Sequence, residues 1–150
     1  KILWEEGLVR DVDLLAAALL YNGLKETNTK EFEIEELFGS KILSITKELS
    51  NSPILSSQEN TQRELDLACS MSQNAKLIKL ADYLYKIRDL KTTTSEKRSK
   101  KDVEYYFNSA QKLVEALNGT NEELEASLKW EISQPTSGKS AAISKSLALG

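Results

Sequence analysis

At 150 residues with a net charge of −3, the chain is long enough for one domain with a buried core. It carries no broad positive field of the kind a general nucleic-acid binder needs. Its histidine count is zero, which excludes, within this sequence, serine triads, HExxH zinc sites and intact histidine–aspartate metal sites, because each needs an imidazole as base or ligand. The single cysteine, Cys69, forms no intrachain disulfide; its setting LACSMS reads as a packed small residue in a reducing, intracellular compartment, cytoplasmic or organellar. The longest apolar run, Leu14 to Leu20, is far too short to span a bilayer, and no signal sequence opens the chain.

Apolar residues recur at helical spacing almost throughout and no alternating β-branched run argues for a sheet, so the predicted fold is all-α, with about six or more helices. A first helix starts near Asp11, its N-cap, and aligns Val12, Leu15, Ala16, Leu19 and Leu20 until Asn22-Gly23 ends it. A second starts in TNTKEFEIEELFG, with Asn28 and Glu31 as a capping box and Ile34, Leu37, Phe38, Ile42 and Ile45 as its buried face. Residues 50–57 form a loop around Pro53. A polar helix over residues 58–72 buries Leu65, Ala68 and Cys69.

AKLIKLADYLYKIRDL is strongly amphipathic through Leu77, Leu80, Ala81, Leu84 and Ile87, and KTTTSEKRSKK is its basic exit loop. From Val103 the spacing is cleanest, through Tyr106, Phe107, Ala110, Leu113, Val114 and Leu117. Asn118-Gly119 stops that helix, and Thr120 with Glu123 caps a last one carrying Leu124, Leu128 and Ile132. The helical domain thus covers residues 1–132. The Ser-, Ala- and Gly-rich segment 133–150 is a flexible or partner-docked tail.

Several motifs have plain structural readings. SGKS at Ser137 to Ser140 lacks the upstream glycine and strand of a phosphate-binding loop, and Asn118-Gly119-Thr120 is a helix stop before it is a glycosylation acceptor. The basic run from Glu96 to Lys101 is a solvated loop, and Trp4 and Trp130 are packing anchors. Asp82 differs, because it interrupts the apolar stretch LIKLADYL. A carboxylate buried there requires a cation, hydrogen bonds or a metal.

Three blocks in order, AALLYNGLKETNTKEFEIEELFG, AKLIKLADYLYKIRDL and YYFNSAQKLVEALNGTNEELEASL, resemble the HD hydrolase domain of the RelA/SpoT family, most closely its small stand-alone animal members. The resemblance runs from about Ile2 to Ile132 and weakens between Ser50 and Asn74. It implies an HD-domain-like helical bundle. It also implies manganese-dependent removal of the 3′-pyrophosphate from (p)ppGpp, and for the animal forms dephosphorylation of NADPH. In that family the first block reads AALLHD, then two residues, then ED. By resemblance Tyr21 stands for a ligand histidine, Asn22 for a ligand aspartate, Lys25 for a catalytic glutamate and Glu26 for a catalytic aspartate, while Asp82 is a retained ligand. A further ligand histidine is expected upstream of Lys1. Tyr83 and Lys86 replace the family's basic residue and asparagine, and Tyr85 and Arg88 are possible ligand contacts.

A phenol with a pKa near about 10 is a poor metal ligand at neutral pH, an amide oxygen binds a divalent ion less well than a carboxylate, and an ammonium repels one. From these substitutions the expectation is a catalytically inactive homologue that binds no metal and serves as a structural or interaction subunit in a protein assembly, with Lys25 or Tyr21 pairing with Asp82. The alternative is a residual or altered phosphohydrolase on (p)ppGpp or NADPH, using Mn2+, or a nucleotide-binding sensor using the same cleft.

Overall fold

The computed structural model describes residues 1–24, 29–92 and 99–134, with residues 22–24 described by their backbone. The helices are α1 (Ile2–Glu5), α2 (Val12–Leu24), α3 (Glu31–Phe38), α4 (Ser40–Leu49), α5 (Ser57–Leu67), α6 (Gln73–Thr92), α7 (Lys100–Ala116) and α8 (Glu122–Ser133), with a 3₁₀ turn at Ala68–Ser70. Among the described residues there is no strand, in line with the spacing. None of these helices is long and apolar enough to cross a membrane.

The start of α2 is where Asp11 predicts it: the carboxylate accepts the backbone N–H of Asp13 at 2.9 Å and of Leu14 at 3.3 Å, satisfying donors that have no partner inside the helix. Its buried face is not the predicted one. Val12 and Leu19 are 76% and 75% exposed, whereas Leu14, Ala17 and Tyr21 are buried. A helix with seven successive apolar residues has no polar side to fix its rotation, so packing on α4 and α6 chooses the face. Asn22-Gly23 does not stop the helix, which runs on to Leu24.

The predicted second helix is two. Gly39, at φ 91°, adopts a backbone open to glycine and rare for other residues, and there α3 gives way to α4. The break leaves Leu37 and Phe38 exposed while Ile34, Ile42 and Ile45 reach the core. The helix also starts later than the expected capping box. The Lys30 N–H donates to Glu33 at 2.8 Å, and Asn28 lies outside the described residues.

Before α5, Ser56 and Glu59 cap each other reciprocally, at 2.7 and 3.3 Å. Asn60 is buried and ties the preceding loop down by donating to the carbonyls of Ser52 and Leu55. Ala68 is buried as expected, but Cys69 is exposed. The 3₁₀ turn has about three residues per turn, which rotates Cys69 away from the face that α-helical spacing assigns to it.

At the centre, α6 packs on α1, α2, α4, α7 and α8. It is accordingly buried on several sides, through Ala75, Ile78, Leu80, Tyr83, Leu84 and Ile87. Ala110, Leu113, Val114 and Leu117 of α7 and its end face the same core, as their spacing predicts. The cap of α8 is Asn121, one residue past Thr120. Its side chain accepts the Leu124 N–H at 3.0 Å, while Glu125 accepts the N–H groups of Gly119 and Asn121. Trp4 and Trp130 are exposed rather than packing anchors. Arg10 lies 3.9 Å from the Trp4 ring centroid and Lys91 5.9 Å from that of Trp130. Most of the basic exit segment, the SGKS stretch and the tail beyond residue 134 lie outside the described residues.

Candidate functional site

The middle of α6 brings polar groups into a core that is otherwise apolar. Lys79 is 1% exposed and its ammonium is joined to the Glu64 carboxylate of α5. It also donates to the Tyr21 hydroxyl at 3.2 Å. The Tyr83 hydroxyl donates to the other oxygen of Glu64 at 3.1 Å. Glu64, Lys79, Tyr21 and Tyr83 therefore link three helices through one hydrogen-bonded network, the condition under which buried polar groups are tolerated.

Tyr106 of α7 stacks on Tyr83 with ring centroids 5.1 Å apart and planes 14° from parallel. Its hydroxyl is buried without a hydrogen-bond partner. Burial first, and then the nearby Tyr83, Asp82 and Glu64, push the phenol pKa of Tyr106 well above the ordinary tyrosine value. Tyr83 is raised in the same way, by burial and then by Glu64. Both phenols stay neutral donors across the physiological range.

Asp82 is compensated, as its position in LIKLADYL requires, and the partner is Lys86. The ammonium lies 2.8 Å from the carboxylate, one turn along α6, with the two side chains 41% and 7% exposed. The Tyr21 hydroxyl, one of the two partners expected for Asp82, accepts from Lys79, and a lysine four residues on reaches the carboxylate with little ordering of the chain. Lys25 and Glu26 lie outside the described residues, and of Asn22 only the backbone is described.

Tyr21, Asp82 and Tyr85 line one hollow of about 370 Å³ beside α1, together with Trp4, Ile78 and Ala81. Lys86 and Tyr106 face a second cleft of about 430 Å³ between α5, α6 and the start of α7, with Gln58, Thr61 and Tyr105. Arg88 is elsewhere. Its guanidinium grips Glu6 through two bonds, one of them 2.8 Å, and meets Glu131 at 3.2 Å, so it joins α1 and α8 to α6. Tyr85 is exposed.

Of the residues that matter here, Lys79, Glu64 and Tyr106 were not singled out by sequence. Lys79 carries the same signal as Asp82, a charge inside LIKLADYL, and that signal applies to both. Glu64 sits on a polar helix with nothing to mark it, and Tyr106 falls on a core stripe.

A divalent ion of the manganese type needs several hard, preferably anionic donors converging on one point. Among the described residues, no three Asp, Glu, His or Cys side chains come together to hold a metal. The Asp82 carboxylate already carries one ammonium and the Tyr21 phenol meets another. The described residues do not fit such an ion.

Among the described residues, the arrangement of eight helices has counterparts in solved structures. One is that of a metazoan orthologue of SpoT that hydrolyses ppGpp and plays a role in starvation responses, with a TM-score of 0.81 and 35% identity over 87% of this chain and 73% of that one. A Listeria monocytogenes protein, at 17% identity and a TM-score of 0.71, shares the fold. No protein-family model matches the chain. The fold is that of the HD-type hydrolase bundles, the class the sequence resembles.

The chain is 41% identical over 128 residues to the Xenopus tropicalis guanosine-3′,5′-bis(diphosphate) 3′-pyrophosphohydrolase MESH1, covering 85% of this chain and 72% of that protein. Against the human MESH1 the figures are 37% over 129 residues, covering 86% and 72%. It belongs to the RelA/SpoT-related family of guanosine-3′,5′-bis(diphosphate) 3′-pyrophosphohydrolases.

These relatives correct the expectation of a catalytically inactive homologue. They are named as pyrophosphohydrolases and match over most of the chain. That expectation weighed only a few substituted positions at one corner of the site. The cleft-wall residues Tyr105 and Tyr106 did not enter into it.

Proposed function

We propose that this chain is an altered phosphohydrolase acting on guanosine 3′,5′-bis(diphosphate), which it binds in the cleft between α5, α6 and α7. The reading is carried by the 41% identity to a named 3′-pyrophosphohydrolase across 72% of that relative's length. The geometry of the cleft supports it. The Tyr106 hydroxyl is a neutral donor with no partner among the described residues, and a buried donor in that state gains most from a ligand acceptor. Lys86 lines the same wall; its charge is shared with Asp82, and an ammonium has further N–H donors to offer a phosphate oxygen. Tyr105 supplies a further aromatic surface for a base or ribose.

In the reaction, water adds to the phosphorus attached at the 3′ oxygen as the bond between them breaks. Pyrophosphate is released and the 3′ oxygen takes a proton. The protein's described contribution is recognition and orientation, which fix the phosphate in place for attack.

Pyrophosphate release from guanosine 3′,5′-bis(diphosphate), measured with and without manganese chloride and with NADPH in parallel, tests the proposal. Release is expected from the guanosine nucleotide, reduced about tenfold in Tyr106→Phe. Turnover of NADPH alone would move the assignment to that substrate. Absence of both release and calorimetric binding would refute it.

A further inference from the structure

The hollow beside α1 holds the two groups that the family resemblance places at a metal, the Tyr21 phenol and the Asp82 carboxylate. Each meets a lysine of α6. Lys86 lies 2.8 Å from Asp82, whose side chain is 7% exposed. Lys79, itself buried, donates to Tyr21 and is ionically joined to Glu64.

A carboxylate at that depth has to be neutralised by something. An ammonium and a divalent ion compete for the same oxygen lone pairs. The ammonium tethered one helical turn away is present at an effective concentration that a free ion must overcome. A dication arriving at Asp82 would also come close to two positive charges, at a Coulombic cost that burial amplifies. Among the described residues, the donors left to it would be the Tyr21 phenol and one carboxylate, too little charge for a hard dication.

We infer that Lys86 is the built-in counter-ion of Asp82, neutralising the carboxylate and engaging one of the oxygens a divalent ion would need, with Lys79 serving Tyr21 and Glu64 in the same way. The polar centre is thus held together by lysine charge and is indifferent to divalent metal. The inference rests on these ion pairs and not on the proposed turnover.

Two measurements test it without reference to activity. Titrating the chain into manganese chloride and following the electron paramagnetic resonance of the hexaaqua ion should leave the signal at full amplitude. The melting temperature in manganese and in EDTA should agree within about 1 °C. Lys86→Met should lower it by about 3–6 °C, and by about 1 °C or less when Asp82→Asn is already present, since the uncompensated charge is then gone. Loss of the aqua-ion signal at one manganese per chain, a melting temperature that falls in EDTA, or an equal effect of Lys86→Met in both backgrounds would overturn the inference. The resonance titration needs only the unsubstituted chain, so it decides even if a variant fails to fold.

Discussion

Helix α6 carries two ionic clusters a few turns apart, and they differ in the water around them. Near its middle, Lys79 is sealed among Glu64, Tyr21 and Tyr83. Toward its C-terminus, Arg88 and Lys91 bind Glu6 and Glu131 at the rim, where the Arg88 and Glu6 side chains are about a third exposed. The pairs are chemically alike, yet solvent screens the Arg88–Glu6 pair and barely reaches Lys79, with Lys91 and Glu131 in between at 9% and 13% exposure. The charge on Lys79 therefore specifies the packing of α2, α5 and α6, whereas the rim cluster mostly fastens α1 and α8 to a core that apolar contacts already define.

Removing one member of each cluster would expose the difference. Lys79→Met should destabilise the protein by about 3–5 kcal/mol, because it leaves Glu64 charged and poorly solvated. Adding Glu64→Leu should recover much of the loss, and urea unfolding of both variants measures it. Equal destabilisation by the single and double substitutions would show that packing, not charge, governs this corner.

The rim cluster should show its effect through pH. Hydrogen bonding to Arg88, outweighing burial, holds the Glu6 carboxyl below the ordinary glutamate pKa. A carboxylate depressed in the folded state contributes stability that is present above its unfolded pKa and is lost as the pH falls through the folded one. Glu6→Gln should cost roughly 1 kcal/mol near neutral pH and flatten the fall in stability below the range where glutamates ordinarily titrate. A profile unchanged by the substitution would mean the contact contributes nothing.

The smallest effect is expected at Tyr106, between the two. Its hydroxyl is buried without a partner, so Tyr106→Phe removes an unsatisfied group and should leave stability unchanged or raise it by about 1 kcal/mol. A marked loss would reveal a partner for the hydroxyl in solution. Together with the loss of turnover expected of the same variant, an unchanged melting curve would separate a ligand-binding role from a structural one.

Much of the fold was legible because its signals are local. The Asp11 cap, the turn before α5 and the stripe on α7 depend on residues three or four apart, and the structure keeps them. Rotation and breaks were not legible. The apolar run from Leu14 to Leu20 fits several buried faces equally well, and only α4 and α6 select the one holding Leu14, Ala17 and Tyr21. Nothing before Gly39 announces that Leu37 and Phe38 will be left exposed.

For the site, the sequence alone determined that Asp82 must be compensated, since a carboxylate among apolar neighbours on a helix is too costly to leave bare. It also determined the family resemblance, which the relatives establish. The cation that compensates Asp82, Lys86, lies one helical turn on, but that Glu64, Tyr83 and Tyr106 would meet around Lys79 and the cleft depended on how α5 and α7 pack against α6. Those contacts join residues far apart in the chain, and no local periodicity encodes the distance between them.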